Sequence, residues 1–116
     1  MVESLKIQDK VSKFLKEPVR LFINGEFVES KSGKTFSTYD PSTGKILAEV
    51  SEAQSEDIDS AVKAAKEAFE NGPWPKMPSA ERAHLMYKLS MLIEENQQEI
   101  AEIDSLDNGK PIHEVL

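Results

Sequence analysis

Cysteine is absent from the 116 residues. Disulfides, thiolate zinc sites and cysteine nucleophiles are excluded together. Arginine occurs only as Arg20 and Arg82, and acidic side chains outnumber basic ones 21 to 14, for a net charge of −7. A nucleic-acid partner requires a basic face, and this composition provides little to build one from. Gly25, Gly33, Gly44, Gly72 and Gly109 lie too far apart for a dinucleotide fingerprint or a phosphate-binding loop. His84 and His113 are the two histidines, remote from each other and from any acid–nucleophile arrangement. No apolar run approaches the roughly 18 residues of a membrane span, so no membrane partner is expected. Internal repeats and low-complexity tracts are also missing.

What is present reads as one domain's worth of chain, 39% apolar and 30% charged, a balance suited to a soluble globular piece. Residues 1–19 are expected to form a helical arm. Val2, Leu5, Val11, Phe14 and Leu15 recur at helical spacing, Lys6, Lys10, Lys13 and Lys16 lie mostly on another face, and Pro18 stops the helix. A mitochondrial presequence is rich in Arg and poor in acid. This arm carries Glu3, Asp9 and Glu17 and no Arg, so a packed arm and a cytoplasmic location are the expectation.

Residues 21–50 read as antiparallel β-hairpins. Asn24-Gly25 between apolar runs is the strongest short hairpin signal, because a type I′ turn needs positive φ at both central positions. Thr35–Tyr39 and Lys45–Val50 make a second pair across Asp40-Pro41-Ser42-Thr43-Gly44. Two long helices follow. Ser55 is the expected N-cap of the first, with Glu56 and Asp57 suiting its positive end and Ile58, Ala61, Val62, Ala65, Ala68 and Phe69 as its apolar stripe. Gly72, in a left-handed cap conformation, and Pro73 end it. After the proline-rich stretch 73–78, Ser79 is the expected cap of a second helix of about seven turns. Leu85, Met86, Leu89, Leu92, Ile93, Ile100 and Ile103 mark its buried face, and Asn108-Gly109 its end. Pro111 then opens a short amphipathic turn containing His113, at which the chain stops, so it reads as interrupted.

Candidate chemistry is sparse. The acidic run Glu94, Glu95, Glu99, Glu102, Asp104 and Asp107 is read as a solvated helix face, with a cation site as the rival. Trp74 is read as an anchor for its linker, with a ligand-stacking ring as the rival. His84 is expected to be partly packed.

The order of the pieces resembles the aldehyde dehydrogenase superfamily. Phe22-Ile23-Asn24-Gly25-Glu26-Phe27-Val28 is similar to its opening hairpin. Tyr39-Asp40-Pro41-Ser42-Thr43-Gly44 resembles its N-P-x-T-G turn with Asp40 for Asn. Asp57 to Phe69 resembles its first helix, and Trp74 with Pro78-Ser79-Ala80-Glu81-Arg82 the entry to the second. Ser105-Leu106-Asp107-Asn108-Gly109-Lys110-Pro111 is similar to T-L-D-N-G-K-P with Ser105 for Thr.

The resemblance implies an α+β fragment, antiparallel β-hairpins followed by two long helices, belonging to the α/β Rossmann-like cofactor-binding domain. It divides the chain into an arm, 1–19, and a partial cofactor-binding domain, 20–116. It implies an NAD- or NADP-dependent parent that oxidises aldehydes to carboxylic acids and is commonly a homo-oligomer. Family catalysis uses a cysteine thiolate and a glutamate base, neither of which has a counterpart here. The chain alone is therefore expected to be inactive, with no catalytic residue and no cofactor-binding residue of its own. It also implies a partial monovalent-cation site at the Tyr39 carbonyl and Asp107, whose rival is a helix-end role for Asp107. A free-standing module that binds full-length subunits, and a truncated product without function, are the alternatives. Without the rest of the parent, the stripes Ile58/Val62/Phe69 and Met86/Leu89/Ile93/Ile100 are expected to be exposed.

Overall fold

The two dipeptide-scale turns behave as their residues dictate. Asn24 takes φ 54° and Gly25 φ 80°, closing a hairpin of β1 (Leu21–Ile23) and β2 (Glu26–Val28). Leu21 faces Val28, Phe22 faces Phe27 and Ile23 faces Glu26 in the antiparallel register. The Phe22 and Phe27 rings sit 5.0 Å apart at 54°, the tilted pairing that aromatic quadrupoles favour. In this computed structural model, which describes residues 6–116, β3 (Thr35–Tyr39) and β4 (Ile46–Ser51) form a second two-stranded sheet. The Asp40–Gly44 turn joins them. The Asp40 carboxylate accepts the Ser42 N–H at 2.7 Å, the Asp40 carbonyl accepts the Gly44 N–H at 2.8 Å, and the Asp40 N–H returns to the Lys45 carbonyl at 2.9 Å.

The chain divides into two compact units. One comprises the residues up to Val19 with Thr35–Val50 and Asn96–Leu116. Its helices are α1 (Asp9–Lys16) and, later in the chain, two more described below. The arm packs in this unit: Val11 is fully buried, and Val19 bridges Val50 in parallel, donating its N–H to the Glu49 carbonyl at 2.8 Å. The Val2 and Leu5 positions of the expected stripe lie outside the described residues.

The other unit comprises Arg20–Lys34 and Ser51–Glu95. It contains the first hairpin, α2 (Ser55–Asn71), a single 3₁₀ turn at Trp74–Lys76, and α3 (Ser79–Glu95). Residues Ala61, Ala64, Ala65 and Ala68 of α2 line an open cavity of about 350 Å³ with the turn Phe22–Gly25. Small side chains on that face let the hairpin approach the helix.

Four local expectations are corrected. The second long helix is two helices, α3 and α4 (Gln97–Asn108), with Asn96 between them at φ −109°, ψ 13°. Asparagine is a weak helix former, and Asn96 takes the N-cap position of α4 without a side-chain cap bond, a break that a purely apolar spacing argument overlooks. Gln54, not Ser55, caps α2, because Asp57 three residues on reaches back to the Gln54 N–H at 2.9 Å. The carbonyl of Pro78 starts α3, accepting from Glu81 and Arg82, so Ser79 is already helical. Gly72 has φ −70°, not a left-handed conformation. Glycine is required there by close approach, since a Cβ would lie 2.3 Å from the Ala68 carbonyl oxygen. Gly109, by contrast, is the left-handed cap of α4 at φ 82°, and α5 (Ile112–Val115) follows Pro111.

Candidate functional site

Both residues of the expected cation site belong to the first unit. Tyr39 ends β3 and is exposed; Asp107 is the penultimate residue of α4 and is exposed. Their two motifs meet. A Cβ on Gly109 would sit 3.0 Å from Pro41 Cγ, and Tyr39 and Asp107 each stand two residues before that contact. Only a glycine, both left-handed and without a Cβ, fits the approach. The Asp107 carboxylate accepts no hydrogen bond and forms no ion pair among the described residues.

The helix-end role considered for Asp107 is taken by its neighbour. Asn108 Oδ1 accepts the Lys110 N–H at 2.7 Å, and Asn108 Nδ2 donates to Asp104 at 2.6 Å. Ser105 Oγ adds a bond to the Lys110 carbonyl at 2.6 Å. Asp104, Asp107 and Thr38 edge an otherwise apolar cavity of about 570 Å³ lined by Phe14, Leu15 and Ile103 among others. Among the described residues, no group of three or more His, Cys, Asp or Glu side chains is placed to hold a metal ion.

The acidic run is divided by the break at Asn96, and it is not uniformly solvated. Glu102 is 2% exposed. Its carboxylate accepts the Gln8 N–H at 2.8 Å and Gln98 Nε2 at 3.1 Å. Glu99 pairs with Lys10 at 2.6 Å. Two acids of the run, Glu99 and Glu102, thus tie α4 to the arm. The pattern Lys10 with Glu99 was visible as opposite charge, but nothing local in the sequence pairs residues so far apart.

A second buried acid escaped the sequence reading. Asp57 is 3% exposed and accepts two backbone N–H groups, from Gln54 at 2.9 Å and Lys31 at 3.1 Å. The Gln54 N–H is the main force holding its carboxyl below the usual carboxylate range. Burial opposes it, and the Lys31 N–H and ammonium charge add to the lowering. Asp57 therefore pins the Ser30–Lys34 loop to the start of α2. A carboxylate in the first turn was legible; its long-range partner was not.

Neither His84 nor His113 is packed: both are exposed, which corrects the expectation for His84. Trp74 is 44% exposed and lines an open cavity of about 390 Å³ with Ala68, Phe69, Pro75 and Arg82.

The family model described as the aldehyde dehydrogenase family matches residues 27–116. The chain is 50% identical over 97 residues to aldehyde dehydrogenase family 2 member B4, mitochondrial, of Arabidopsis thaliana, covering 84% of this chain and 18% of that protein. A mutant aldehyde dehydrogenase from Bacillus cereus superposes with a TM-score of 0.92 at 57% identity, over 97% of this chain and 23% of that one. The NAD+ complex of the Bacillus cereus enzyme superposes with a TM-score of 0.89 at 58% identity, over 93% and 22%. The chain spans about a fifth of the length of the relatives it matches.

Proposed function

Because the chain belongs to the aldehyde dehydrogenase family, we propose that it supplies the opening part of the cofactor-binding domain of an NAD-dependent enzyme that oxidises aldehydes to carboxylic acids. The observation that carries this reading is the near-complete superposition on an NAD+-bound aldehyde dehydrogenase at 58% identity. Identity at that level to proteins several times longer favours this role over a free-standing interaction module. The chain has no cysteine, so it does not itself provide the thiolate that attacks the aldehyde. Its contribution is architectural: hairpins and helices that cover a nucleotide-binding core and fix it in place.

In this reading the parent is a homo-oligomer, acts on an aldehyde and resides in the cytoplasm. The arm, which has no arginine and carries Glu3, Asp9 and Glu17, supports the compartment; among the described residues no helix is long and apolar enough to cross a membrane. The arm, 1–19, and the partial domain, 20–116, act as successive parts of one subunit. We also assign the Tyr39 carbonyl and the Asp107 carboxylate to a partial monovalent-cation site. The contact of Gly109 with Pro41 supports that assignment, as does an Asp107 carboxylate left without a protein donor. Hard monovalent ions take such oxygen ligands, as calcium does.

The test is a full-length graft. The matching portion of the Bacillus cereus enzyme is replaced by these 116 residues, and NADH formation from an aldehyde is followed. The graft is expected to form NADH, and the 116-residue chain alone none. NADH formation by the chain alone, or a folded but inert graft, contradicts the proposal.

A further inference from the structure

Helix α3 inverts the usual arrangement of a surface helix. Its apolar residues are largely exposed, and Arg82 is its most buried position, the one residue of Ser79–Glu95 that is neither exposed nor fully buried. Arg82 lines an open cavity together with Ala68, Phe69, Trp74 and Pro75, and its guanidinium is the group with unused donors. Among the described residues it makes no hydrogen bond and no ion pair. The two acids in the last turns of α2 are engaged elsewhere: Glu67 accepts from Asn71, and Glu70 is paired with Lys66 at 3.9 Å. A half-buried arginine with unused guanidinium donors is open to a further acceptor, and its planar fork fits a carboxylate best.

Met86, Leu89 and Ile93 follow Arg82 at i+4, i+7 and i+11, so all four share one face of α3. These three apolar side chains are about half exposed. The face runs about 16 Å at 1.5 Å per residue, too long for a small carboxylate to cover. We infer that Arg82 anchors a docking face on α3 whose occupant is an apolar chain segment bearing an Asp or Glu at the Arg82 end. The segment is supplied by the part of an aldehyde dehydrogenase subunit that this chain does not span. This inference rests on the proposed function for the source of the segment. The chemistry of the anchor rests on Arg82 and its aromatic walls alone.

The graft described above tests the source. Its crystal structure is expected to show the Arg82 guanidinium bonded at about 2.8 Å to a carboxylate from outside the 116 residues, with Met86, Leu89 and Ile93 covered by the same segment. Arg82 facing only water or apolar groups overturns the inference. An active graft with Arg82 unpaired sinks the inference and leaves the functional proposal standing; a paired Arg82 in an inert graft does the reverse.

A second measurement needs no graft. Trp74 is the single tryptophan and stands in the same cavity, so its fluorescence reports on Arg82. Phenylpropionate is expected to change it saturably at roughly millimolar affinity, with at least tenfold weaker response to phenylpropanol and in Arg82→Gln. Equal responses to the acid and the alcohol, or no loss in Arg82→Gln, overturn the anchor.

Discussion

Helices α3 and α4 are adjacent in sequence and opposite in what they bury. α4 is rich in acid, yet it holds Ala101 and Glu102 at 2% exposure and is tied by side chains to the arm. α3 carries Leu85, Met86, Leu89, Leu92 and Ile93 and buries none of them. Residue type alone therefore does not decide burial. A partner does: a carboxylate is buried where an N–H and an amide meet it, while the α3 leucines stay about half exposed. The same holds on α2, where the stripe residues Ile58, Val62 and Phe69 are all more than half exposed, as expected of a chain that spans about a fifth of its relatives.

The comparison is broken most forcefully at Glu102. Glu102→Ala leaves the Gln8 N–H without an acceptor in a buried place, and a loss of about 1–3 kcal/mol is expected, read as a lower denaturation midpoint. Leu89→Ala on α3 is expected to change stability by no more than about 0.5 kcal/mol, because the side chain has little to lose. Equal losses for the two variants contradict the account of which helix is packed.

Gly109→Ala sharpens the same contrast at the end of α4. It combines positive φ with a Cβ placed 3.0 Å from Pro41, and a loss of about 1–2 kcal/mol is expected from the left-handed backbone alone. Lys10→Ala removes a partly exposed ion pair and is expected to lose less than about 1 kcal/mol, a loss that shrinks in high salt.

Acid acts on the other unit through Asp57. Its folded carboxyl titrates below the ordinary value, so its contribution is fully present above the unfolded carboxylate range, near pH 4. That contribution is lost as pH falls from there through the folded value. Asp57→Asn is expected to flatten that part of the pH–stability curve. Amide exchange at Lys31 and Gln54 should rise in the variant. An unchanged acid limb contradicts the pinning role.

Much of the fold was legible because its signals are local. Asn24-Gly25, Asp40 to Gly44 and Asn108-Gly109 are turns and caps specified by a few neighbouring residues, and each forms as its chemistry requires. The stripe on α2 and the exposure of both apolar stripes also followed from spacing and from the resemblance. What escaped was set by distant partners. Glu102 reads as solvated until Gln8 is brought beside it, and Asp57 reads as a dipole charge until the loop at Lys31 closes on it. The break at Asn96 escaped for another reason: apolar residues continue at helical spacing on both sides, and only the weak helix propensity of asparagine marks the interruption. Arg82 was read as one letter of a family motif; its place at the head of the Met86/Leu89/Ile93 stripe was in the spacing, but its lack of a partner was not.

The central claim is that the apolar faces of α2 and α3 lie uncovered in this chain. Sedimentation of the 116-residue chain across a range of concentrations, with a dye that fluoresces on apolar surface, tests it most directly. The account expects strong dye binding and association that grows with concentration. A monomer at every concentration, without dye binding and with one cooperative unfolding transition, contradicts it.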